Sequence, residues 1–393
     1  MSNRQDEEWD ELGWMYLSGP DFVLPRDKTN LISLLRHLNE EERGEIAMVV
    51  GGDEDSIANS RNLAKAVLAA VEKQLALIDS SALELLVRAA ASKGPLDVDL
   101  EESEETIYML RNAGLLFVGI REKQQAVVVL PDEISRQWGA YIQGGKLREQ
   151  AAQNTKILEV CSAVLYRYGI LSEGDLLRIV NDLGGKLEAH VLSQLLDWTA
   201  SAHDYVYRMD DQWLRHPVVE DESWVRKEQL ARAGLNLRPL TLEMVLSADA
   251  ELTGRSSYQL FQRYLEGQGV SAADALLMLQ MADAGLKNES SNLAEQLREF
   301  SLGEDAADDE AYGEIERHLG DMRDQTPLWI LMGHTPEEVK QQGLDVSTEP
   351  LEMPALCDDE LFGDDSGFDD DGSLPFGDGL DEDDDAPEQA NAL

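Results

Sequence analysis

The distribution of charge along the chain sets the first limit on what it can fold into. From Gln341 to the C-terminus there is no lysine or arginine, and residues 358–388 hold fifteen acidic residues among glycine, serine and proline. Such a segment cannot bury enough apolar surface to offset the entropy lost on ordering. We therefore predict a disordered acidic tail over residues 344–393, with the folded part of the chain before it.

The rest of the chain is long and apolar enough to fold. The whole sequence has 393 residues, which is long enough for several domains, and 43% of them are hydrophobic, which is enough to form their cores. The formal net charge of −45 repels the phosphates of nucleic acids and anionic membranes, and it favours basic partners. We therefore expect a basic protein partner, no membrane association, and nucleic-acid binding that is disfavoured by charge.

Cysteine usage and the N-terminus predict a cytoplasmic protein. Only Cys161 and Cys357 are present, which excludes a disulfide framework and fits a reducing compartment. The N-terminus has no basic segment followed by an apolar core, as a signal peptide would. No stretch approaches 18 uninterrupted apolar residues, so the sequence predicts no membrane span.

The first 76 residues predict an irregular segment and then a helical module. Residues 1–27 show no regular pattern, whereas leucines recur at helical spacing from Leu31 to Leu38 within the predicted module 28–76. Asn39 has the side chain of an N-cap for the following acidic turn. A longer helix is predicted from about Asn59 to Gln74.

Residues 79–150 predict a winged-helix-like module. Ser81 and Glu84 have the spacing of a capping box for a helix, and Gly94-Pro95 breaks the chain after it. A second helix ends near Gly114. The alternation in Leu115–Ile120 and Ala126–Leu130 then predicts a short β-hairpin.

Residues 151–218 predict a second winged-helix-like module. An apolar helix over Lys156–Tyr168 precedes a helix capped by Ser172, and a third helix follows Gly184-Gly185. Two short strands flanking Asp210-Asp211 predict another hairpin.

Residues 239–342 predict an all-helical C-terminal domain. Ser256 and Ser271 each precede an acid or glutamine at capping-box spacing, and Thr335-Pro336 marks a further helix start. We expect Trp329 and Ile330 to close the core of this domain. The predicted fold class is mainly α, with two tandem winged-helix-like modules between the helical ends.

One part of the sequence resembles the helix–extended-loop–helix module at the N-terminus of transcription terminator Rho. The similar pieces are Leu34-Leu35-Arg36-His37-Leu38, Glu45-Ile46-Ala47 and the helix Leu63–Leu75. The resemblance implies binding of RNA or DNA, which the acids at 40–42 and 53–55 oppose.

Four further segments resemble a group of uncharacterised bacterial multi-module proteins, mainly from Gram-positive species. With the Rho-like module, the resemblance covers about residues 30–340 and implies architecture without an established activity. Some members end in a cysteine-rich zinc motif, which Cys357 alone cannot form. The segments are Gly114-Leu115-Leu116-Phe117, Val129-Leu130-Pro131-Asp132-Glu133-Ile134, Tyr168-Gly169-Ile170-Leu171-Ser172 and Thr326-Pro327-Leu328-Trp329-Ile330-Leu331-Met332-Gly333-His334-Thr335-Pro336.

The sequence offers no constellation for catalysis, so we predict a protein that is not an enzyme and has no cofactor or metal. Cys161 with His190 is better interpreted as a buried structural thiol and an unrelated histidine. Glu314 and His318 lie four residues apart, and an i,i+4 surface pair explains that spacing more simply than two metal ligands.

Charge also argues against DNA binding by the winged-helix-like modules. The recognition helix of the first module has four glutamates against Arg111, and in the second Glu188 and Asp197 offset Lys186 and His190. We therefore predict an adaptor or regulatory subunit that uses these modules as protein-docking surfaces. The four glutamates are Glu101, Glu102, Glu104 and Glu105.

The alternative is a transcription-related, nucleic-acid-associated regulator. Its basic site would include Arg121, Lys123 and Lys146, and the acidic tail would compete for that site.

The tail carries the predicted partner-binding residues. Its apolar side chains alternate with acids, a pattern typical of disordered segments that fold against a basic, apolar-grooved partner, although a purely solubilising tail is an equal alternative. The predicted binding residues are Leu361, Phe362, Phe368, Leu374, Phe376 and Leu380 with Asp369, Asp370 and Asp371.

Overall fold

The computed structural model describes residues 29–92, 94–99, 104–121, 125–199, 207–209, 212–247, 252–302 and 309–351. The chain divides into two units, Met1–Pro354 and Ala355–Leu393, and every described residue belongs to the first. The predicted irregular segment 1–27 lies outside the described residues, as does the acidic tail beyond Leu351.

Helices make up 67% of the described residues, which confirms the mainly α fold class. None of the described helices combines the length and apolar character that crossing a bilayer requires. The α-helices are α1 Leu31–His37, α2 Glu40–Val50, α3 Glu54–Ala58, α4 Ser60–Leu75, α5 Ser80–Ala91, α6 Glu104–Asn112, α7 Asp132–Ile142, α8 Gly145–Tyr168, α9 Glu173–Asp182, α10 Ala189–Thr199, α11 Glu222–Ala231, α12 Leu242–Leu246, α13 Ser256–Gly267, α14 Ala272–Asn288, α15 Leu293–Leu302, α16 Asp309–Arg323 and α17 Pro336–Gln342.

Two small antiparallel sheets interrupt the helices. Both contain a predicted hairpin and a third strand that the sequence analysis did not predict, and that third strand pairs with the second strand of the hairpin. The strand orders are β1-β3-β2 and β4-β6-β5. The strands are β1 Leu96–Asp97, β2 Phe117–Arg121, β3 Gln125–Val129, β4 Ile170–Ser172, β5 Tyr207–Arg208 and β6 Trp213–Arg215.

Side-chain caps set most helix starts, and two of the predicted caps are wrong. Asn39, Ser172, Ser271 and Thr335 cap as predicted. The cap of α5, however, is Asp79 instead of Ser81, because its carboxylate accepts the N–H of Ala82 at 2.8 Å. In α13, Ser256 is the first helical residue and the cap position is Arg255, which makes no capping hydrogen bond.

Helix α8 connects two of the four apolar clusters of the core. Its first turns contribute Leu147 and Ala151 to a cluster that α1–α7 and the first sheet also form, and its last turns pack on α9, α10 and Leu214. Between them, the buried Asn154 amide donates to the carbonyls of Ala76 and Ile78, at 3.0 and 2.8 Å. The helix is thereby fixed to the turn that precedes α5.

Trp329 and Ile330 were expected to close the core of the C-terminal helices, and this prediction is wrong. They lie in a short 3-10 turn, Trp329–Leu331, whose cluster includes Ile170 of β4 and Trp224 of α11. The Trp329 indole N–H donates to the Tyr166 carbonyl at 2.9 Å. The turn therefore packs across the end of α8, while α13–α16 form a separate apolar cluster.

Residues 344–351 are ordered, so the prediction that disorder begins at residue 344 is wrong for this stretch. The Arg232 guanidinium donates to the carbonyls of Ser347 and Glu349 at 3.0 and 2.6 Å. The N–H of Leu351 donates to the Glu228 carboxylate at 3.0 Å. The segment has too few apolar residues to be ordered by burial alone, and these hydrogen bonds offset the entropy lost when it becomes ordered.

Gly169 joins α8 to β4 at a point where only glycine fits. Its backbone has φ +74° and ψ −63°, and a Cβ there would lie 2.7 Å from Cγ of Trp329. We expect Gly169→Ala to lower the free energy of unfolding by at least about 2 kcal/mol, through strain and overpacking together. Urea unfolding followed by circular dichroism measures this.

Gly343→Ala is the matched control, because Gly343 also has positive φ, at +66°, but has no atom within 4 Å of the added Cβ. Backbone strain alone should cost about 1–2 kcal/mol there. Equal losses in the two variants would show that the contact with Trp329 is not tight.

Candidate functional site

The nine predicted binding residues of the tail lie outside the described residues. Lys123 and the side chain of Arg121 also lie outside what the structure describes, and Lys146 is exposed at the start of α8. The tail residues outside the described part are Leu361, Phe362, Phe368, Asp369, Asp370, Asp371, Leu374, Phe376 and Leu380.

The arginine of the first predicted recognition helix points inward. The Arg111 side chain is 5% exposed, and its guanidinium forms ion pairs with Glu42 and, at 3.8 Å, with Glu45. Glu42 also completes the capping box of Asn39 with its other oxygen. Arg111 therefore ties α6 to α2 and is not presented to a ligand.

Arg208, one of the two arginines of the second sheet, is neutralised in the same way. The Arg208 guanidinium on β5 lies 3.0 Å from the carboxylate of Glu173 and 3.0 Å from that of Asp197. Glu173 begins α9 and Asp197 lies on α10. Ion pairs thus connect the hairpin to α9 and α10, and the two carboxylates neutralise the positive charge of Arg208.

The most strongly buried charges meet where α8, α13 and α14 come together. Asp283 is the centre: the Lys287 ammonium lies 2.6 Å from its carboxylate and the Arg255 guanidinium 2.9 Å from it. The hydroxyls of Tyr166 and Tyr258 donate to the same carboxylate at 2.8 and 2.6 Å. We call these five residues the Asp283 cluster.

Two further contacts complete the Asp283 cluster. The Lys287 ammonium lies 3.5 Å from the centre of the Tyr166 ring, in cation–π geometry. The Tyr258 hydroxyl is 2.7 Å from that of Thr326, next to the turn that carries Trp329. The cluster therefore joins three helices and a turn through one carboxylate.

Burial shifts the proton equilibria of this region. Burial alone would oppose ionisation of Asp283, but Lys287 and Arg255 outweigh it and hold the Asp283 pKa well below its usual range. For Lys287 burial prevails over the attraction of Asp283 and lowers the pKa to about 8. The neighbouring His216, half-buried and repelled by Lys287, has its pKa lowered to about 4.

The cysteine and histidines considered for chemistry lie in unrelated surroundings. Cys161 is fully buried and burial raises its pKa to about 12, whereas the His190 side chain is 66% exposed and lies 3.3 Å from Glu188. The predicted surface pair of Glu314 and His318 is wrong for the histidine, which is buried against Phe261. Glu314 instead pairs with Arg317 at 2.8 Å.

The larger of two clefts beside the second sheet has a volume of about 560 Å³. Ile170 and Leu171 of β4 form one wall, and α11 forms another. Leu230 of α11 is 63% exposed there, and the Arg226 guanidinium lies 4.3 Å from the centre of the Trp213 ring. The lining also includes Asp175 and Arg178, so this cleft combines apolar and charged side chains.

The Asp283 cluster was not predicted from the sequence. Asp283 and Lys287 lie four apart, which by itself indicates an exposed helix pair. The available signal was their position on a helix face that also carries Leu279 and Leu286. A charged pair on an apolar face predicts burial with further partners.

Comparisons of the chain with protein-family models, with curated proteins and with solved structures found no match. The resemblance to the Rho N-terminal module and to the bacterial multi-module proteins therefore stays a prediction.

Asp283→Asn should destabilise the protein strongly. The substitution keeps the size of the side chain but leaves Lys287 and Arg255 buried without an anion, which costs about 3–5 kcal/mol. Asp321→Asn, which removes an exposed partner of Arg317, is the control and should cost less than about 1 kcal/mol. Urea unfolding measures the free energy of unfolding of both variants. If both lose less than about 1 kcal/mol, Asp283 does not neutralise buried cations.

The lowered pKa of Lys287 predicts how stability depends on pH. Between about 8 and the ordinary value of 10.5, the unfolded chain binds a proton that the folded chain has lost, so this group adds stability as pH rises. Relative to Lys287→Met, the wild type should gain free energy of unfolding across that window. A constant difference between the two proteins from about pH 8 to about pH 10 would show an unshifted lysine.

Proposed function

We propose that this protein is a non-enzymatic, cytoplasmic adaptor or regulatory subunit for protein–protein interaction. It docks partners on two winged-helix-like modules and captures a basic protein through its acidic, apolar-bearing tail. The pairing of Arg208 with Glu173 and Asp197 carries the proposal.

The order of elements from α8 to β6 supports a winged helix in the second module. Helix, strand, two helices and a hairpin follow one another, and the first strand pairs with the last in the order β4-β6-β5. In the winged-helix fold, α10 occupies the place of the recognition helix and the hairpin that of the wing. The first module has the corresponding strand order, β1-β3-β2. Between its first strand and its hairpin, however, the structure describes one helix, α6, where the second module has two.

Charge at these faces favours a protein ligand over nucleic acid. A winged helix that reads DNA presents uncompensated cations to phosphates from its recognition helix and wing. Here Arg208 at the wing is bound by two carboxylates, and Arg111 of α6 is bound by Glu42 and Glu45. Both arginines hold elements together, which suits a scaffold.

The tail is tested by comparing the full chain with a variant that lacks residues 357–393. Native affinity purification with and without nuclease, followed by quantitative mass spectrometry, should show basic proteins that are lost with the tail. The melting temperature should stay unchanged, because an acidic segment with few apolar residues buries little surface and adds little to stability.

A variant with the same net charge as the wild type distinguishes binding through the tail's apolar side chains from electrostatic attraction of a basic partner. Replacing Phe362, Phe368 and Phe376 by alanine keeps every acid, so a tail that only attracts cations would still hold its partners. We expect the substitution to release them. Partners that survive tail deletion would overturn the tail's role, and partners that vanish with nuclease would support the nucleic-acid-associated alternative.

A further inference from the structure

A second cleft, of about 390 Å³, lies between α8, the end of α9 and α12. Its floor is aliphatic and comes from α8, α9, the loop after α9, and α12. Among the described residues that line it, the charged ones are two lysines, Lys156 and Lys186. We call it the lysine groove. The aliphatic residues are Ile157, Val160, Val180, Leu183, Leu187 and Leu242.

The charge of the lysine groove departs from that of the rest of the molecule. Acidic residues outnumber basic ones by 78 to 33 in this chain, and nearby arginines are paired: Arg178 lies 3.0 Å from Asp175. Lys156 and Lys186 are both exposed, and within the described part of the chain neither forms an ion pair. Two lysines without an ion-pair partner among the described residues thus line a cleft with an aliphatic floor.

The loop that forms one wall of the lysine groove is held in place. A Cβ at Gly185 would lie 2.7 Å from the Val180 carbonyl oxygen, so the glycine lets the loop pack flat on the end of α9. The Asn181 side chain then accepts the N–H of Leu187 at 2.8 Å and donates to its carbonyl at 3.0 Å. A groove with a fixed wall loses little entropy on binding.

We propose that the lysine groove binds an acidic peptide segment that carries apolar side chains. An aliphatic or aromatic residue of the peptide enters the floor, where Leu242 is 41% exposed, and flanking carboxylates pair with Lys156 and Lys186. Among the lining residues there is no aromatic ring for base stacking, and two lysines displace few counterions, so the chemistry favours a peptide over nucleic acid.

This site goes beyond the proposed function, in which the tail and the winged-helix faces make the contacts. It gives the folded part of the chain a receptor for the kind of sequence that its own tail contains. Residues 358–380 combine acids with Leu361, Phe362, Phe368 and Phe376, so a peptide of that sequence is a suitable probe.

The test is fluorescence anisotropy of the labelled 358–380 peptide titrated with the full chain. The host is the variant in which Phe362, Phe368 and Phe376 are alanine, so that its own tail competes less, and the wild type is measured beside it. We expect saturable binding that weakens about tenfold or more in Lys156→Glu/Lys186→Glu. Leu242→Ser should weaken it as well.

The control is Lys65→Glu/Lys73→Glu, which makes the same change in net charge on α4 and should leave the affinity within about twofold. Binding to the alanine host but not to the wild type would support the groove and identify the chain's own tail as its competitor. No binding to either host would overturn the proposal. Equal weakening by both lysine pairs would also overturn it, because the effect would then come from net charge.

Discussion

One carboxylate decides how the second half of the molecule is arranged. Asp283 receives a lysine, an arginine and two tyrosine hydroxyls, which come from α8, α13 and α14. Hydrogen bonds to one buried anion have fixed directions, so they add directional constraints to the close packing of the apolar side chains around them. The ionic cluster therefore contributes specificity of arrangement, and the apolar clusters around it contribute most of the free energy.

The same use of cations explains the outer surface. Arg111, Arg208 and Arg232 bind carboxylates or carbonyls of distant segments, so basic side chains serve mainly as internal connections. The remaining surface is therefore mostly acidic, and it contains a few clefts with apolar lining residues. The lysine groove differs from this setting because two lysines line one aliphatic cleft, and among the described lining residues no acid accompanies them.

Local signals predicted the helices well, and long-range contacts explain what was missed. Helix starts at Asn39 and Ser172 depend on residues three positions away, which a sequence displays directly. At residues 79–81 three capping side chains compete, and the position that can also be buried, Asp79, prevailed. The partners of Asp283 lie up to 117 positions away, and strands of two or three residues, such as β1 and β4, have too few positions to show alternation.

The hydrogen bond between Trp329 and Tyr166 spans 163 positions, and this separation governs when the fold can be completed. On the ribosome, α8 and the second sheet emerge long before the turn that covers them. Until residue 331 has been made, Ile170 and Trp224 lack the neighbours with which they are buried in the finished protein. Synthesis that stops before that turn yields a chain with an exposed apolar seam, which chaperones and proteases recognise. Until the Trp329 turn has been made, the apolar cluster around Ile170 in a nascent chain thus stays incomplete.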